Sequence, residues 1–325
     1  MADGTTMLAM VTDDYGAPLR LAERPRPEPG SGEVQVRVQA ASVNGFDVAV
    51  AAGRLRGMME HSFPAGLGKD FAGTVEAIGE GVSGFAAGDR VFGVVMKPTV
   101  RDGSFAQYVT VPEAIGIAHL PDRLDVSVAG ALGLAGTAAI QALDALQLRA
   151  GELVLVAGAT GGVGALAVQL AAASGAVVIA TGQPGPDEKF LRELGATHVA
   201  DYREDLAGAV PALAPKGVDA ALHLAGDGSQ LAALVRPGGR LVSTLGFSPE
   251  QAGERQLSVT AVMANPDAQT LARLAILATS SRLRVPVQAT YPLEELPRAL
   301  ADFTGGDQGQ AGHQRPLSRA RIRFL

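Results

Sequence analysis

The residues best suited to chemistry in this sequence form a glycine-dense turn over residues 158–164. A run of Val and Leu at residues 153–156 precedes the turn, and an apolar run long enough for a helix follows it, which predicts the start of a βαβ unit. Gly161 and Gly164 stand at the second and third glycine positions of a dinucleotide-binding fingerprint, with Ala159 at the first. Gly161 would let the backbone approach a pyrophosphate, and Gly164 would let the helix pack closely on the strand.

This turn predicts a dinucleotide site, because the N-terminus of the following helix would present N–H groups and a favourable dipole to the phosphates. A second apolar strand, at residues 176–180, lies at the distance that a βαβ unit requires. The alternative is a turn with a structural role only, since glycine-rich turns occur in many α/β proteins. The predicted cofactor contacts in the turn are Ala159, Thr160, Gly161, Gly162, Val163 and Gly164.

Length and composition restrict the classes of protein to which the chain can belong. At 325 residues, with 47% hydrophobic and 18% charged residues, we expect a globular protein of about two domains. The formal net charge is −6 and basic residues do not cluster with aromatic ones, so we expect no nucleic-acid partner. The absence of cysteine excludes disulfides, thiolate catalysis and every zinc site that needs a cysteine ligand. A histidine–carboxylate metal site assembled only by the fold stays open.

A charge-free run over residues 153–183 has the length of a membrane span. Its many glycines divide it naturally into strand, helix and strand, so a buried α/β core explains it better and we expect no membrane partner. The N-terminus lacks a basic region followed by a hydrophobic one, which favours a cytoplasmic protein.

Two patterns of elements succeed each other along the chain. Up to about residue 125 alternating short strands with glycine bends predict a partly open, barrel-like β domain. From about residue 129 strands alternate with helices, which predicts a parallel, doubly wound sheet with ligands at the carboxyl ends of its strands. The expected strands of the first part cover residues 7–11, 19–23, 33–40, 71–79, 89–95 and 105–111, and those of the second part 153–156, 176–180, 218–225 and 240–245.

The carboxyl ends of the later strands of this sheet supply three more predicted cofactor contacts, Ala225, Leu245 and Gly246. A turn is expected at residues 237–239. Beyond residue 266 the pattern predicts helices over 268–278 and 293–303, a strand over 285–287 and a last strand over 319–325. The last strand alternates polar and apolar residues like an edge strand, so we expect it to return to the first domain.

Six segments in a fixed order carry a resemblance to a known family. They are residues 41–47, 68–75, 82–92, 102–109, 158–164 and 195–202. Over essentially its whole length the chain resembles the zinc-independent, quinone-oxidoreductase-like branch of the medium-chain dehydrogenase/reductase superfamily.

The resemblance implies an α/β protein with a GroES-like β-rich catalytic domain over residues 1–127, a Rossmann domain over 128–263 and a return to the catalytic domain over 264–325. It implies an active site in the cleft between the domains and hydride transfer from a nicotinamide to a carbonyl-conjugated alkene or a quinone. It also implies a homodimer formed through the sheet edge at residues 256–262. A catalytically silent NADP-binding sensor or structural protein of the same fold is the alternative, because fold alone does not establish activity.

The resemblance also identifies the candidate catalytic residues. Where zinc-dependent relatives place Cys, His and Cys ligands, this chain has Asn44, Lys69 and Leu132, so we expect no metal and no zinc-alkoxide chemistry. Asn44 would face the nicotinamide and the substrate, or alternatively cap a turn before Gly45. Lys69 would stabilise the enolate that hydride addition creates. The alternatives for Lys69 are a surface lysine or an ion pair with Asp70.

Departures from the family leave the proton donor open. Residues 53–56 lack the tyrosine that some enoyl-thioester reductases of the group carry there, so solvent is one candidate donor. Relatives commonly have a Thr and an aromatic residue at the positions of Ala138 and Ile140. Thr137 is the predicted cofactor contact here, because it could take the place of the missing Thr.

Cofactor choice depends on the end of the second Rossmann strand, where NAD sites usually have an acid. Thr181 and Gly182 stand there without an acid, Lys189 follows, and Tyr202 falls where relatives use a tyrosine near the 2′-phosphate. These four residues are predicted cofactor contacts and favour NADP(H). Asp187 and its neighbour Glu188 would oppose a phosphate.

Overall fold

The structure is a computed structural model that describes residues 5–203, 206–253, 255–305 and 320–323. The chain divides into two compact units. The first comprises Met1–Thr137 together with Asn265–Leu325, and the second comprises Ala138–Ala264. Within the described residues, no helix combines the length and the apolar character needed to cross a bilayer.

The first unit begins with short strands and two short helices. These are β1 (Thr6–Thr12), β2 (Arg20–Pro25), β3 (Glu33–Ser42), α1 (Gly45–Ala51), β4 (Glu60–His61), β5 (Ala65–Gly66), β6 (Asp70–Ile78), β7 (Arg90–Val94), β8 (Thr99–Val100), β9 (Tyr108–Pro112), β10 (Ile117–His119) and α2 (Val126–Ala129).

Helix α3 (Gly133–Leu146) runs from the first unit into the second, where strands and helices alternate. The elements of the second unit are β11 (Leu153–Ala157), α4 (Gly162–Ala173), β12 (Val177–Thr181), α5 (Glu188–Glu193), β13 (His198–Ala200), α6 (Leu206–Leu213), β14 (Val218–His223), α7 (Gly228–Leu234), β15 (Val235–Ser243), α8 (Pro249–Ala252) and β16 (Ser258–Ala261).

The chain then returns to the first unit. The returning elements are α9 (Ala268–Thr279), β17 (Ala289–Tyr291), a 3₁₀ helix (Leu293–Glu295), α10 (Leu296–Thr304) and β18 (Ala320–Arg323).

Strand β3 is the centre of the main sheet of the first unit, whose order is β10-β7-β6-β3-β18-β17 with β9 also paired to β3. Val34, Val36 and Val38 of β3 are buried and pack with Phe71 and Val75 of β6. The strict alternation of β3 thus supplies one apolar face, as predicted. β18 pairs antiparallel with β3 and parallel with β17, so it lies inside the sheet rather than at its edge.

The second unit contains a six-stranded sheet in the order β13-β12-β11-β14-β15-β16, in which all neighbouring strands are parallel. Leu155, Ile179, Ala221 and Leu241 from four adjacent strands are fully buried. Strands covered on both faces explain the nearly continuous apolar runs in the sequence. The predicted doubly wound α/β sheet is confirmed.

Several local predictions were wrong or incomplete. Residues 285–287 form no strand, since Pro286 lacks the N–H that a ladder needs, and the strand is β17 instead. The turn expected at residues 237–239 lies within β15, where the register with β14 shifts. β9 starts at Tyr108 rather than Phe105, and helix α1 was not predicted. Of the last expected strand, residues 319, 324 and 325 lie outside the described residues.

Strand β16 is an edge of the parallel sheet, and β15 is its one partner strand in the part of the chain that the structure describes. The Val262 N–H donates to the Ser243 carbonyl at 2.8 Å. Because backbone groups alternate in direction along a strand, the Ala261 N–H points away from β15. The outer side of β16 can therefore pair with another strand.

We predict that the protein is a dimer joined through β16. Static light scattering at micromolar concentration should give twice the chain mass for the wild type. Ala261→Pro removes the outward N–H and should shift the protein to a monomer, whereas Thr260→Val keeps the backbone donors and should remain dimeric. A monomeric wild type would contradict this prediction.

Candidate functional site

The turn between β11 and α4 has the backbone conformation that its glycines predict. Gly158 has a φ of 82°, and the Gly161 N–H donates to the Gly158 carbonyl at 3.1 Å. Gly161 is the N-cap residue of α4 and, being a glycine, has no side chain of its own over the start of the helix. Gly161 and Gly162 thus let the backbone there be approached closely, as binding of a phosphate requires.

Gly164 is required by packing. A Cβ built on Gly164 would lie 2.1 Å from the Gly158 carbonyl oxygen and 2.7 Å from the Ala159 Cα. Ala159 is fully buried and Thr160 is 8% exposed, while Gly162 and Val163 are partly exposed. The turn therefore forms a close cradle between strand and helix.

The end of β12 is tied to this turn by a hydroxyl group. The buried Thr181 Oγ1 accepts the Gly158 N–H at 2.9 Å. Two residues further along the chain, Gln183 donates through Nε2 to the Tyr202 hydroxyl at 2.9 Å and through its backbone N–H to Asp187 Oδ2 at 2.8 Å.

The remaining residues of this predicted set differ in placement. Gly182 is buried, and a Cβ built on it would lie 2.5 Å from a Leu191 side-chain carbon. Lys189 is exposed on the first turn of α5. The structure thus brings Thr181 to the glycine turn and Tyr202 to Gln183.

A second hydroxyl group orders the carboxyl ends of β14 and β15. Ser243 is fully buried, and its Oγ accepts the N–H groups of Leu245 at 3.0 Å and Phe247 at 3.2 Å. His223 Nδ1 lies 3.1 Å from the same oxygen, and His223 Nε2 lies 3.1 Å from the Gly226 carbonyl. This network fixes the two loops that contain the predicted contacts.

The predicted contacts in these loops are accessible. Leu245 is 57% exposed, and Gly246 has a φ of 79°. Ala225 lies against the glycine turn, since a Cβ added to Gly158 would be 3.0 Å from the Ala225 Cβ.

Thr137, another predicted cofactor contact, is the last residue of the first unit and is fully buried. Its Oγ1 has no hydrogen-bond partner among the described residues.

In the first unit, the fully buried carboxylate of Asp70 organises the surroundings of Asn44. Asp70 Oδ2 accepts from the Ser42 hydroxyl at 2.6 Å and from Asn44 Nδ2 at 3.1 Å. Asp70 Oδ1 accepts the Leu134 N–H at 2.7 Å. Asn44 is also the N-cap residue of α1, and its backbone N–H donates to Asp47 Oδ2 at 2.8 Å. Asn44 thus joins the helix start to a buried carboxylate.

Lys69 is half-buried beside this group. Its ammonium donates to the Val95 carbonyl at 2.7 Å and lies 4.7 Å from the centre of the Phe46 ring. Burial lowers the pKa of Lys69, while the negative charges of Asp47 and Asp70 oppose this shift.

Asp47 is 1% exposed, and its Oδ1 has no hydrogen-bond partner within the described residues. Burial raises the pKa of Asp47 to about 7, with a further increase from the charge of Asp70. The N–H groups of Asn44 and Gly68 and the ammonium of Lys69 oppose this increase. Asp47 therefore changes its charge near neutral pH.

Comparisons with known proteins agree with this arrangement. The family profile "Alcohol dehydrogenase GroES-like domain" matches residues 30–122, and "Zinc-binding dehydrogenase" matches residues 194–308. A chloroplastic quinone oxidoreductase of Triphysaria versicolor is 34% identical over 232 residues, which are 68% of this chain and 69% of that protein. The chain belongs to the quinone-oxidoreductase-like branch of the medium-chain dehydrogenase/reductase superfamily.

Two other similar proteins extend the comparison. The solved quinone oxidoreductase of Coxiella burnetii has a TM-score of 0.87 at 28% identity, covering 98% of this chain and 100% of that one. A mycocerosic acid synthase-like polyketide synthase of Mycobacterium tuberculosis is 38% identical over 236 residues, 69% of this chain. The match spans 10% of the synthase's length. These relatives support an oxidoreductase, and the superfamily implies a nicotinamide cofactor.

The residues of the second unit fit a nicotinamide dinucleotide. Gly161 and Gly162 place no side chain where a pyrophosphate would lie, and the close contact at Gly164 holds the start of α4 against the strand. Gly161, Gly162 and Val163 would bind the pyrophosphate, and the loops after β14 and β15 would bind the rest of the cofactor.

Zinc does not fit the positions that hold it in zinc-dependent members of the superfamily. Asn44 and Lys69 offer an amide and an ammonium, and Leu132 is a fully buried aliphatic side chain. In addition, no group of three or more His, Cys, Asp or Glu side chains that could hold a metal occurs within the described residues.

The sequence patterns gave no role to Asp47, Ser243 or His223, and they considered Asp70 only as an ion-pair partner of Lys69. Asp47 follows Asn44 by three residues, the spacing at which a carboxylate accepts the N–H of a helix N-cap, and this signal could have identified it. For Ser243 and His223 no local signal exists, since they are 20 residues apart on neighbouring strands.

We predict that Ser243→Ala lowers the free energy of unfolding by about 1–3 kcal/mol, because it leaves the buried N–H group of Phe247 and the partly buried N–H group of Leu245 without this acceptor. It should also weaken cofactor binding by loosening the loop that follows β15. Chemical denaturation and calorimetric titration with NADPH measure the two effects. Ser258→Ala, at an exposed position of β16, is the matched control and should change neither. Equal stability of the two variants would contradict the role of Ser243.

Proposed function

We propose that this protein is an NADPH-dependent, zinc-independent oxidoreductase that transfers hydride to a carbonyl-conjugated C=C bond or to a quinone. The observation that supports this best is the half-buried ammonium of Lys69 at a position where zinc-dependent relatives keep a metal ligand. Full positive charge in a poorly solvated site stabilises an oxyanion, which is also what zinc does in those relatives.

Two residues of the first unit would act on the substrate. The second unit would hold the nicotinamide dinucleotide, which would supply the hydride when bound. Lys69 would donate a hydrogen bond to the substrate carbonyl and stabilise the negative charge that hydride addition creates on its oxygen. Asn44, whose amide is oriented by Asp70, would position the nicotinamide and the substrate. Asp70 holds Asn44 in place and does not itself react.

The choice of NADPH is supported by the end of β12. Thr181 and Gly182 bring no carboxylate there, and Thr181 already accepts the Gly158 N–H. Gln183, which follows Gly182, donates a hydrogen bond to the Tyr202 hydroxyl. Asp187 disfavours NADPH, because its carboxylate accepts the Gln183 N–H and its negative charge would repel a 2′-phosphate bound there. Lys189 is exposed and can turn toward a phosphate.

We predict that NADPH binds at least about tenfold more tightly than NADH, which corresponds to ~1.4 kcal/mol. Isothermal titration calorimetry with both cofactors measures the ratio. Gly161→Asp should abolish binding of both, because its carboxylate would lie against the pyrophosphate. Ala87→Asp adds the same charge at an exposed position of the first unit and should bind normally. Equal or tighter binding of NADH would reject the NADPH assignment.

The reaction is tested by NADPH oxidation with 2-cyclohexen-1-one, trans-2-hexenal and 1,4-benzoquinone, followed at the absorbance of the reduced cofactor. Turnover should be unaffected by a chelator. Tight NADPH binding without turnover of any of the three compounds would favour the silent binding protein instead.

Within this assay, Lys69→Met should lower the turnover number by about ten- to a thousand-fold, as the loss of one preorganised donor does in other enzymes. NADPH affinity and melting temperature should change little. Lys216→Met, at an exposed lysine, controls for loss of a positive charge and should be silent. An unaltered turnover number for Lys69→Met at saturating substrate would rule out the catalytic role of Lys69.

A further inference from the structure

Asp47 is a buried carboxyl group to which the proposed function gives no task. Its Oδ2 accepts the Asn44 N–H at 2.8 Å, which explains one oxygen. Its Oδ1 is buried without a hydrogen-bond partner in the described part of the chain. A buried carboxylate oxygen left unsatisfied costs free energy, so this oxygen either carries a proton or is hydrogen-bonded to a water.

Asp47 lines a small cavity in the first unit. Lys69 and Phe46 are also among the residues that line it, and its volume is about 20 Å³. A cavity of roughly 10–15 Å³ or more holds one water if two or more polar partners are available. The Asp47 carboxyl group and the Lys69 ammonium are two such partners.

The other charged residues that line the cavity are paired elsewhere. Lys97 lies 3.2 Å from Glu33, and Asp102 lies 3.3 Å from Arg24 and 3.6 Å from Arg101. Their charges are therefore largely neutralised by these partners.

The charges that act on Asp47 are those of Lys69 and Asp70. If both carboxyl groups and the ammonium are charged, the group has a net charge of −1, which is unfavourable in a poorly solvated place. A proton on Asp47 removes this imbalance.

We propose that Lys69 and Asp47 form a two-step proton relay, in which Lys69 protonates the reduced substrate and Asp47 returns a proton to Lys69 through one water in the cavity. This inference rests on the proposed function. Asp47 acts through Lys69 and is a positioning residue, whereas Lys69 is the group that touches the substrate.

The relay balances the reaction of a conjugated alkene. The hydride brings both electrons and forms the C–H bond at the β-carbon, while the π pair of the alkene moves to give an enolate. An N–H bond of Lys69 breaks, and its proton goes to the enolate, at oxygen or at the α-carbon. The O–H bond of Asp47 then breaks and its proton restores the ammonium. Solvent returns one proton to Asp47, so each cycle consumes one hydride and one proton.

The relay is tested first without turnover, by ¹³C NMR of protein labelled at the aspartate carboxyl carbons. The wild type should show a carboxyl resonance that titrates near pH 7, and Asp47→Asn should lack it. In Lys69→Met the midpoint should move to higher pH by about one unit or more, because the ammonium no longer favours the carboxylate. An Asp47 that titrates below pH 5, or a midpoint unchanged in Lys69→Met, would overturn the relay.

The second test is kinetic, with NADPH and 2-cyclohexen-1-one over pH 5.5 to 9. Asp47→Asn keeps an oxygen that can accept the Asn44 N–H, so the start of α1 is preserved. We expect its kcat to fall by about ten- to a hundred-fold, as loss of a proton-transfer group does elsewhere. The wild-type kcat should decline as pH rises through the Asp47 midpoint, and this decline should be absent in the variant.

Asp125→Asn is the matched control, since Asp125 caps α2 in the same unit through the N–H groups of Ser127 and Val128. It should retain the wild-type kcat and pH profile. A lower melting temperature of Asp47→Asn with an unchanged pH profile would show a structural role only and overturn the relay. If Asp47→Asn does not fold, the titration of Lys69→Met decides. If no compound is turned over, the proposed function fails, and the titration still decides whether the two groups are coupled.

Discussion

The first unit depends on the hydrogen bonding of one fully buried carboxylate, that of Asp70. A charge removed from water is stable only if its oxygens are well hydrogen-bonded. Asp70 meets this requirement with the Ser42 hydroxyl, the Asn44 amide and the Leu134 N–H. These donors belong to the end of β3, the N-cap of α1 and the start of α3, so one carboxylate fixes three chain segments. A Cβ on Gly133 would lie 2.8 Å from Asp70 Oδ1, which explains the glycine there.

The same carboxylate sets the electrostatics around Lys69. With two buried acids nearby, the ammonium keeps favourable partners, although burial itself lowers the pKa of Lys69. The carboxyl group of Asp47 is as buried as that of Asp70 but has fewer donors, and burial raises the pKa of Asp47 to about 7. The two aspartates therefore have different surroundings: both oxygens of Asp70 accept hydrogen bonds, whereas burial favours the protonated form of Asp47.

In the second unit, side-chain hydroxyls hold the loops at the carboxyl ends of the strands. Thr181 accepts a backbone N–H of the glycine turn, and Ser243 accepts two N–H groups of the loop after β15. These loops lie where parallel strands end and regular ladder bonds stop, so their N–H groups need other acceptors. Fixing the loops in advance reduces the conformational entropy that the loops themselves would lose on binding a dinucleotide. Two small buried residues thus order these loops.

The sequence by itself determined the features that depend on neighbouring residues. The alternation of β3, the apolar runs of β11 and β12 and the glycine turn before α4 are local patterns, and each lies where it was predicted. It also identified Asn44 and Lys69 as site candidates through their positions in family motifs. These features could be predicted because hydrophobic period and glycine spacing act over a few residues.

Tertiary structure decided which side chains meet. Asp70 contacts Ser42 from 28 residues away and Leu134 from 64 residues away, and no local pattern encodes either contact. The burial of Asp47 and the cavity that it shares with Lys69 arise only when α1 and residues 66–69 come together in the fold. The strand expected at residues 285–287 was wrong for the same kind of reason. Its apolar residues fit a strand locally, but Pro286 cannot donate to a ladder, and the pairing strand was set at β17 by its register with β18.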